Sequence, residues 1–321
     1  MTQLNLYPLL FEPMFQYRLW GGRRLDFLGT PMPDGPIGEA WILSDRDDHA
    51  SRVSNGPLQG QTIRQLMEHF SEELMGPLAS RFKRFPLLLK FLDARERLSV
   101  QVHPSEGENA KTEAWVVLEA GDECRIFAGL RTGTTKENLR AAVTAGNVEA
   151  HLIGFHPKSG DAVFIPAGTV HSLGGDIVVF EVQQNSDVTF RLYDWKHVDA
   201  KTGKPRPLQV EQALASIDYD QGEIAPVVPV LESLACERLF QCQPFSLWRR
   251  HGDASFHVGA ALTPRILVCI DGRGLLEHGG VNYAIQKGNV ILLPAAVGVC
   301  CFIPLGAVSL LEISLPQMEI K

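Results

Sequence analysis

The sequence has no basic block. Its 30 lysines and arginines are scattered among 37 acidic residues, for a formal charge of −7. A protein that tracks a nucleic-acid backbone needs a row of cations, so that class of partner is excluded, whereas a small anion held by a few placed cations is not. Long hydrophobic runs are also missing. The one extended uncharged stretch, the 24 residues from Gly288 to Leu311, is cut by Pro294, Gly298, Pro304 and Gly306 into strand-length pieces, so no membrane helix is expected. The N-terminus, Met1-Thr-Gln-Leu-Asn-Leu-Tyr-Pro8, lacks the basic start and apolar core of a signal peptide, and the expected location is the cytoplasm. Cysteine is sparse and badly spaced for structural chemistry. Cys124, Cys236, Cys242, Cys269, Cys300 and Cys301 form no C-x-x-C pair, which points to buried reduced thiols and not to a disulfide or zinc framework.

Turn formers are what the chain does have. Its 29 glycines and 20 prolines are about 15% of the 321 residues, above the usual proportion, and favour short strands over long helices. The length suggests about two domains. Three segments have helical spacing and read as connectors. Thr62 and Gln65 stand at capping-box distance before Ile63, Leu66, Met67, Phe70 and Leu74. Thr134 with Glu137 opens a second, running through Leu139, Ala142 and Val143, and Val210, Ala213, Leu214 and Ile217 make a third. Most of the remainder is short apolar or β-branched runs: Leu87 to Leu92, Ser99 to His103, Ala114 to Leu118, Ala162 to Ile165, Ile177 to Gln183 and Val188 to Tyr193. A second set covers Phe256 to Leu262, Ile266 to Ile270, Val281 to Ile285, Val290 to Leu293, Val299 to Ile303 and Val308 to Ser314. That density suggests barrels or double-sheet jelly rolls. The segment Gly160-Asp-Ala-Val-Phe-Ile-Pro166-Ala is echoed 128 residues later by Gly288-Asn-Val-Ile-Leu-Leu-Pro294-Ala, which predicts two related units.

The chemistry-bearing residues cluster in the first unit. Gln101 and His103 stand at i and i+2, so on a strand both side chains point to one face, and Glu113 follows ten residues after His103 with Lys111 at i−2. Gly160-x5-Pro166-x-Gly168-x2-His171 resembles the second motif of the cupin superfamily, in which a strand, a tight turn and the next strand deliver a histidine into a barrel; the Gln101 to Glu113 spacing resembles the first. The fold expected from this likeness is mainly β, two cupin (jelly-roll) β-barrels with a few connecting α-helices. The division expected is a metal-binding catalytic cupin over 1–225 and a smaller degenerate one over 226–321, because Val299 occupies the place of His171 in the echo. Gln101, His103, Glu113 and His171 offer two imidazoles, a carboxylate and an amide oxygen, a set suited to one zinc or another divalent transition metal.

A closer resemblance runs from Phe11-Glu-Pro-Met-Phe15, Arg18-Leu-Trp-Gly-Gly22 and Gly38-Glu-Ala-Trp41 through Pro86-Leu-Leu-Leu-Lys90, Leu98-Ser-Val-Gln-Val-His-Pro104 and Lys111-Thr-Glu-Ala-Trp115. It continues to Pro166-Ala-Gly-Thr-Val-His171, Glu181-Val-Gln-Gln-Asn-Ser-Asp187 and Thr189-Phe-Arg-Leu-Tyr-Asp194. These segments resemble the type I phosphomannose isomerases in their short bacterial form, over about the first two thirds of the chain. The likeness implies a zinc enzyme that interconverts mannose 6-phosphate and fructose 6-phosphate, with Gln101, His103, Glu113 and His171 as metal ligands and Arg191 as the active-site arginine. Lys90, Ser99, Lys111 and Glu181 match further active-site positions. Longer relatives insert a helical domain and loops that this chain lacks.

Aldose–ketose isomerisation moves a proton between adjacent carbons through an enediolate, whose charge a divalent metal can stabilise. Glu181, in the apolar run Ile177-Val-Val-Phe-Glu-Val, needs a partner, and it and Lys90 are alternative general bases, Lys90 with a pKa that burial could depress. Arg191 shares a strand face with Thr189 and Tyr193 and can serve phosphate or a developing oxyanion; Ser99 or Lys111 could hold phosphate. A metal-dependent cupin oxygenase and a non-catalytic sugar-binding or regulatory cupin are the alternatives. The expected partner is a small sugar phosphate, and the expected state a monomer or small homo-oligomer.

Overall fold

The computed structural model describes residues 5–316. Four larger antiparallel sheets stack in layers, and the apolar clusters between them show why each run is where it is. The six-stranded sheet contains, in hydrogen-bonding order, Ala162–Ile165, Glu113–Ala120, Ile177–Gln184 and Leu87–Ala94, with Met14–Gly22 and Ile37–Leu43 beyond. The five-stranded sheet runs Leu152–Phe155, Ile126–Leu130, His171–Ser172, Val100–Val102 and Phe190–Tyr193. One face of the six-stranded sheet, through Leu92, Trp115 and Val179, packs against Ile126 and Ala128 of the five-stranded sheet. Its other face, through Leu89, Phe91 and Phe180, packs against Leu247, Ile266 and Ile313 of a seven-stranded sheet. Burial on both faces explains the unbroken apolar run Leu87-Leu-Leu, which a half-solvated strand would alternate with polar residues.

The seven-stranded sheet is ordered Leu9–Leu10, Val290–Leu293, Arg265–Asp271, Val308–Ser314, Ser246–Gly252, Cys236–Gln241 and Val230–Ser233, so its edge is supplied by the N-terminal part of the chain. A four-stranded sheet, Phe256–Val258, Cys300–Pro304, Arg273–His278 and Val281–Gln286, covers its far side through Leu276 and Phe302. The fold is mainly β, as expected, and of cupin type, but among the described residues the paired sheets do not close into hydrogen-bonded barrels. No helix of the described residues is long and apolar enough to cross a membrane, and all six cysteines are free.

Several boundaries moved. The first helix breaks at Phe70 into Ile63–His69 and Ser71–Met75, although the Thr62–Gln65 capping box is present. The second is capped by Thr135 with Asn138, not by Thr134 with Glu137, because the Thr134 N–H is used in a turn to Arg131 O. The strand expected to reach Leu262 stops at Val258, where Gly259 and Leu262 turn the backbone to positive φ. Strands including Met14–Gly22, Ile37–Leu43, Ile126–Leu130, Ser246–Gly252 and Arg273–His278 lie outside the runs expected from the sequence.

Candidate active site

Strand register assembles the site as two rungs on facing sheets. On the six-stranded sheet Trp41 lies opposite Lys90, Lys90 opposite Glu181 and Glu181 opposite Trp115, so one rung crosses four strands. Residues directly opposite in antiparallel strands share a face, which brings these side chains together. On the five-stranded sheet His171 and Arg191 both lie opposite Gln101. A pocket of about 400 Å³ lies between them, lined by Lys90, Ser99, Gln101, Lys111, Glu181 and Arg191 among others.

His103, Glu113 and His171 are each about 1% exposed, and their ligand atoms lie within 4.8 Å of one another. His103 Nδ1 is 3.0 Å from Val188 O and His171 Nδ1 is 2.9 Å from Thr169 O, so each Nδ1–H donates to a carbonyl and each Nε2 keeps its lone pair. Both Nε2 atoms point at Glu113, at 3.3 Å from Oε2 and Oε1 respectively. Neither Glu113 oxygen has a hydrogen bond of good geometry among the described residues, and the one cation beside it is the Lys111 ammonium, 3.0 Å from Oε2, so the carboxylate keeps room for a further positive partner. Burial and the neighbouring Lys111 ammonium hold His103 at about 3, and burial lowers His171 as well, so both are neutral donors near neutral pH. Burial alone would raise Glu113, but Lys111 and the imidazoles outweigh it and keep it well below the usual range. These residues fit a divalent metal. The turn that aims His171 depends on Gly168 at φ 85°, whose N–H donates to His103 O at 3.0 Å. Gln101 stands beside the group with Nε2 3.2 Å from His171 Nε2 and Oε1 accepting from Ser99 Oγ at 3.1 Å; a half-turn of the amide would present its oxygen instead.

The remaining site residues carry alternating charge. Lys90 Nζ is 2.9 Å from Glu181 Oε1 and 4.0 Å from Glu39 Oε2. Trp115 Nε1 donates to Glu181 Oε2 at 3.0 Å, and Trp41 Nε1 to Glu39 Oε2 at 2.6 Å. Burial raises Glu181 above the ordinary carboxylate range despite Lys90. The expected depression of Lys90 is corrected: burial does work to lower its pKa, but Glu181, Glu39 and Glu113 outweigh that and the net change is upward. Lys111 is buried, its Nζ 3.0 Å from Glu113 Oε2 and 3.2 Å from His103 Nε2. Arg191 Nε donates to Ser99 Oγ at 3.3 Å and its Nη1 to Pro207 O at 3.0 Å, and no carboxylate pairs with it among the described residues. A bulge between Arg191 and Tyr193 breaks the strict alternation expected there, yet Arg191 still faces the pocket.

Sequence reasoning assigned no role to Arg18, Glu39, Trp41 or Trp115. Arg18 binds Glu39 through two nitrogens at 3.0 and 3.1 Å. The available signal was Glu39 and Trp41 at i and i+2 in the apolar run Ile37-Gly-Glu-Ala-Trp-Ile-Leu43.

Residues 9–123 match the family described as phosphomannose isomerase type I, catalytic domain. The chain is 36% identical over 310 residues to the mannose-6-phosphate isomerase ManA of Bacillus subtilis, covering 91% of this chain and 94% of that protein. The chain belongs to the type I phosphomannose isomerase family. Family membership makes it an enzyme of the aldose–ketose isomerase class. A mannose-6-phosphate isomerase of Streptococcus mutans is 34% identical, with 90% of this chain and 93% of that protein covered. The crystal structure of the Bacillus subtilis mannose 6-phosphate isomerase superimposes with a TM-score of 0.88 at 30% identity, over 96% of this chain and 99% of that one. A phosphomannose isomerase variant from Salmonella typhimurium shares the fold, with a TM-score of 0.76 at 17% identity over 97% and 100% of the two chains.

Proposed function

We propose that the chain interconverts mannose 6-phosphate and fructose 6-phosphate through an enediolate, with one zinc ion held by His103, Glu113 and His171 and the amide of Gln101 as a fourth donor. The observation that carries this reading is the convergence of two neutral imidazole nitrogens and a buried, ionised carboxylate within 4.8 Å of one another, in the pocket that also holds the Lys90–Glu181 pair. Family membership favours it over the oxygenase and non-catalytic alternatives. When bound, a divalent ion there supplies Lewis-acid stabilisation of negative charge developing on the sugar oxygens.

In this reading the chain's own groups divide the remaining work. Glu181 and Lys90 form the proton-transfer pair: a carboxyl raised by burial and an ammonium 2.9 Å away can exchange roles as acid and base. Arg191 brings a fixed positive charge that no carboxylate among the described residues pairs with, suited to the phosphate or to oxyanion charge, and Ser99 orients it. Lys111 keeps Glu113 ionised and lines the pocket floor, where it supplements the charge offered to phosphate. We also retain 1–225 as the catalytic unit and 226–321 as the smaller cupin behind it.

The test is a coupled assay of fructose 6-phosphate formed from mannose 6-phosphate. Turnover is expected to disappear with chelator and to return with stoichiometric zinc; turnover that survives complete chelation overturns the metal reading, and none under any metal overturns the substrate.

A further inference from the structure

We infer that Glu39 is a positioning residue for Lys90, holding the ammonium in place when Glu181 takes up a proton during turnover. The inference rests on the Lys90–Glu181 pair proposed above. Lys90 ends a flexible four-carbon stem, and its Nζ lies between two carboxylates on opposite sides, Glu181 at 2.9 Å and Glu39 at 4.0 Å. The two carboxylates are built alike. Each accepts from a tryptophan indole N–H, Glu181 from Trp115 and Glu39 from Trp41, and those tryptophans are the outer members of the rung that has Lys90 and Glu181 at its centre.

They differ in what lies behind them. Arg18 clasps Glu39 through Nε and Nη2, so Glu39 is fixed by three donors and stays ionised, at about 2, whereas Lys90 is the ion-pair partner of Glu181. A proton moved onto Glu181 cancels the nearer of the two charges that hold Lys90. With Glu39 still charged, the ammonium remains on the rung; without it, the long side chain is released from its catalytic position at that moment. Glu39 itself needs no contact with the sugar for this, because its oxygens are already engaged by Trp41 and Arg18.

The experiment compares Glu39→Gln with Glu39→Asp and with the parent enzyme in its metal-loaded form. Gln keeps the shape and carries no charge; its single oxygen can still accept from Trp41 and from one Arg18 nitrogen, while the second Arg18 hydrogen bond is lost. The expected result for Glu39→Gln is a kcat lowered about tenfold or more with KM unchanged within about twofold, and a kcat for Glu39→Asp between the two. Should Glu39→Gln fail to fold, Trp41→Phe, which removes the indole N–H and keeps an aromatic ring, is expected to lower kcat in the same direction by a smaller factor. Parental kcat in the Gln variant, loss confined to KM, or equal damage from Gln and Asp overturns the inference while leaving the isomerase reading standing. An inactive parent overturns both.

Discussion

Replacing Lys90 by Met tests whether the rung is an electrostatic unit, and the structure sets a ceiling on the damage. Met keeps most of the buried stem and removes the charge, leaving Glu181 about 3% exposed with one hydrogen bond, from Trp115, and no cation at Oε1. Breaking a buried pair in this way typically costs about 3–5 kcal/mol. The carboxylate has an escape, however: it can take up a proton. Starting from an unfolded value near 4.5, neutralising it costs about 1.4 kcal/mol for each pH unit above that value, hence about 4 kcal/mol at pH 7.5 and about 1.4 kcal/mol at pH 5.5. The sign follows from a folded pKa above the unfolded one, which makes the folded variant less stable as pH rises. Glu39 contributes little to this penalty because Arg18 still holds it. With about 2.1 cal/mol/K of unfolding entropy per residue, a 321-residue chain shifts by about 1.5 °C per kcal/mol, so the melting point should fall by about 6 °C at pH 7.5 and about 2 °C at pH 5.5 relative to the parent. Circular dichroism melts of chelated protein at the two pH values measure this. The double variant Lys90→Met with Glu181→Gln should recover the lost stability at pH 7.5 and remain inactive. A penalty independent of pH, or a double variant no more stable than the single one, would refute the reasoning.

Two further outcomes are expected. Arg191→Lys keeps the charge but loses the planar fork, and it should reduce kcat/KM for the sugar phosphate by about 10- to 100-fold, the range for a lost charged hydrogen bond; steady-state kinetics with an unchanged melting point checks it. Acid stability should report Glu39. Burial would raise its pKa, but Lys90 and Arg18 outweigh this and bring it from 4.5 to about 2, so its stabilisation of about 3 kcal/mol is complete above about pH 4.5 and disappears as pH falls through 2. Urea midpoints measured between pH 6 and pH 2.5 should fall more for the parent than for Glu39→Gln, and parallel slopes would exclude the effect.

Much of the candidate metal group was legible because its spacings are local. Gln101 and His103 are two residues apart, Lys111 and Glu113 likewise, and the spacing brings each pair to one side even though His103 lies just past the strand Val100–Val102 and Lys111 just before the strand Glu113–Ala120. Gly168 could be read for the same reason, since the turn that needs its positive φ lies within the motif. The Lys90 pKa could not be read, because burial and paired charge push it in opposite directions, and the carboxylates that decide the balance come from strands 51 residues before it and 91 after.

Register is the quantity that the sequence withheld and on which the site depends. Lys90 lies on a strand buried along its whole length and Glu181 on one buried up to Gln183, and nothing within either run says which residue faces which. A slip of one residue would set Lys90 opposite Phe180 or Val182 and turn it to the other face of the sheet, the apolar face that packs against Leu247, Ile266 and Ile313. The cost of that misplacement works against the slipped register: the observed alignment brings Lys90 within reach of Glu181 and Glu39, and a slip would separate these charges. The pair proposed for proton transfer therefore also favours the register in which the neighbouring strands bring Trp41, Glu39 and Trp115 to it, which is why the Lys90→Met variant is expected to lose stability together with activity.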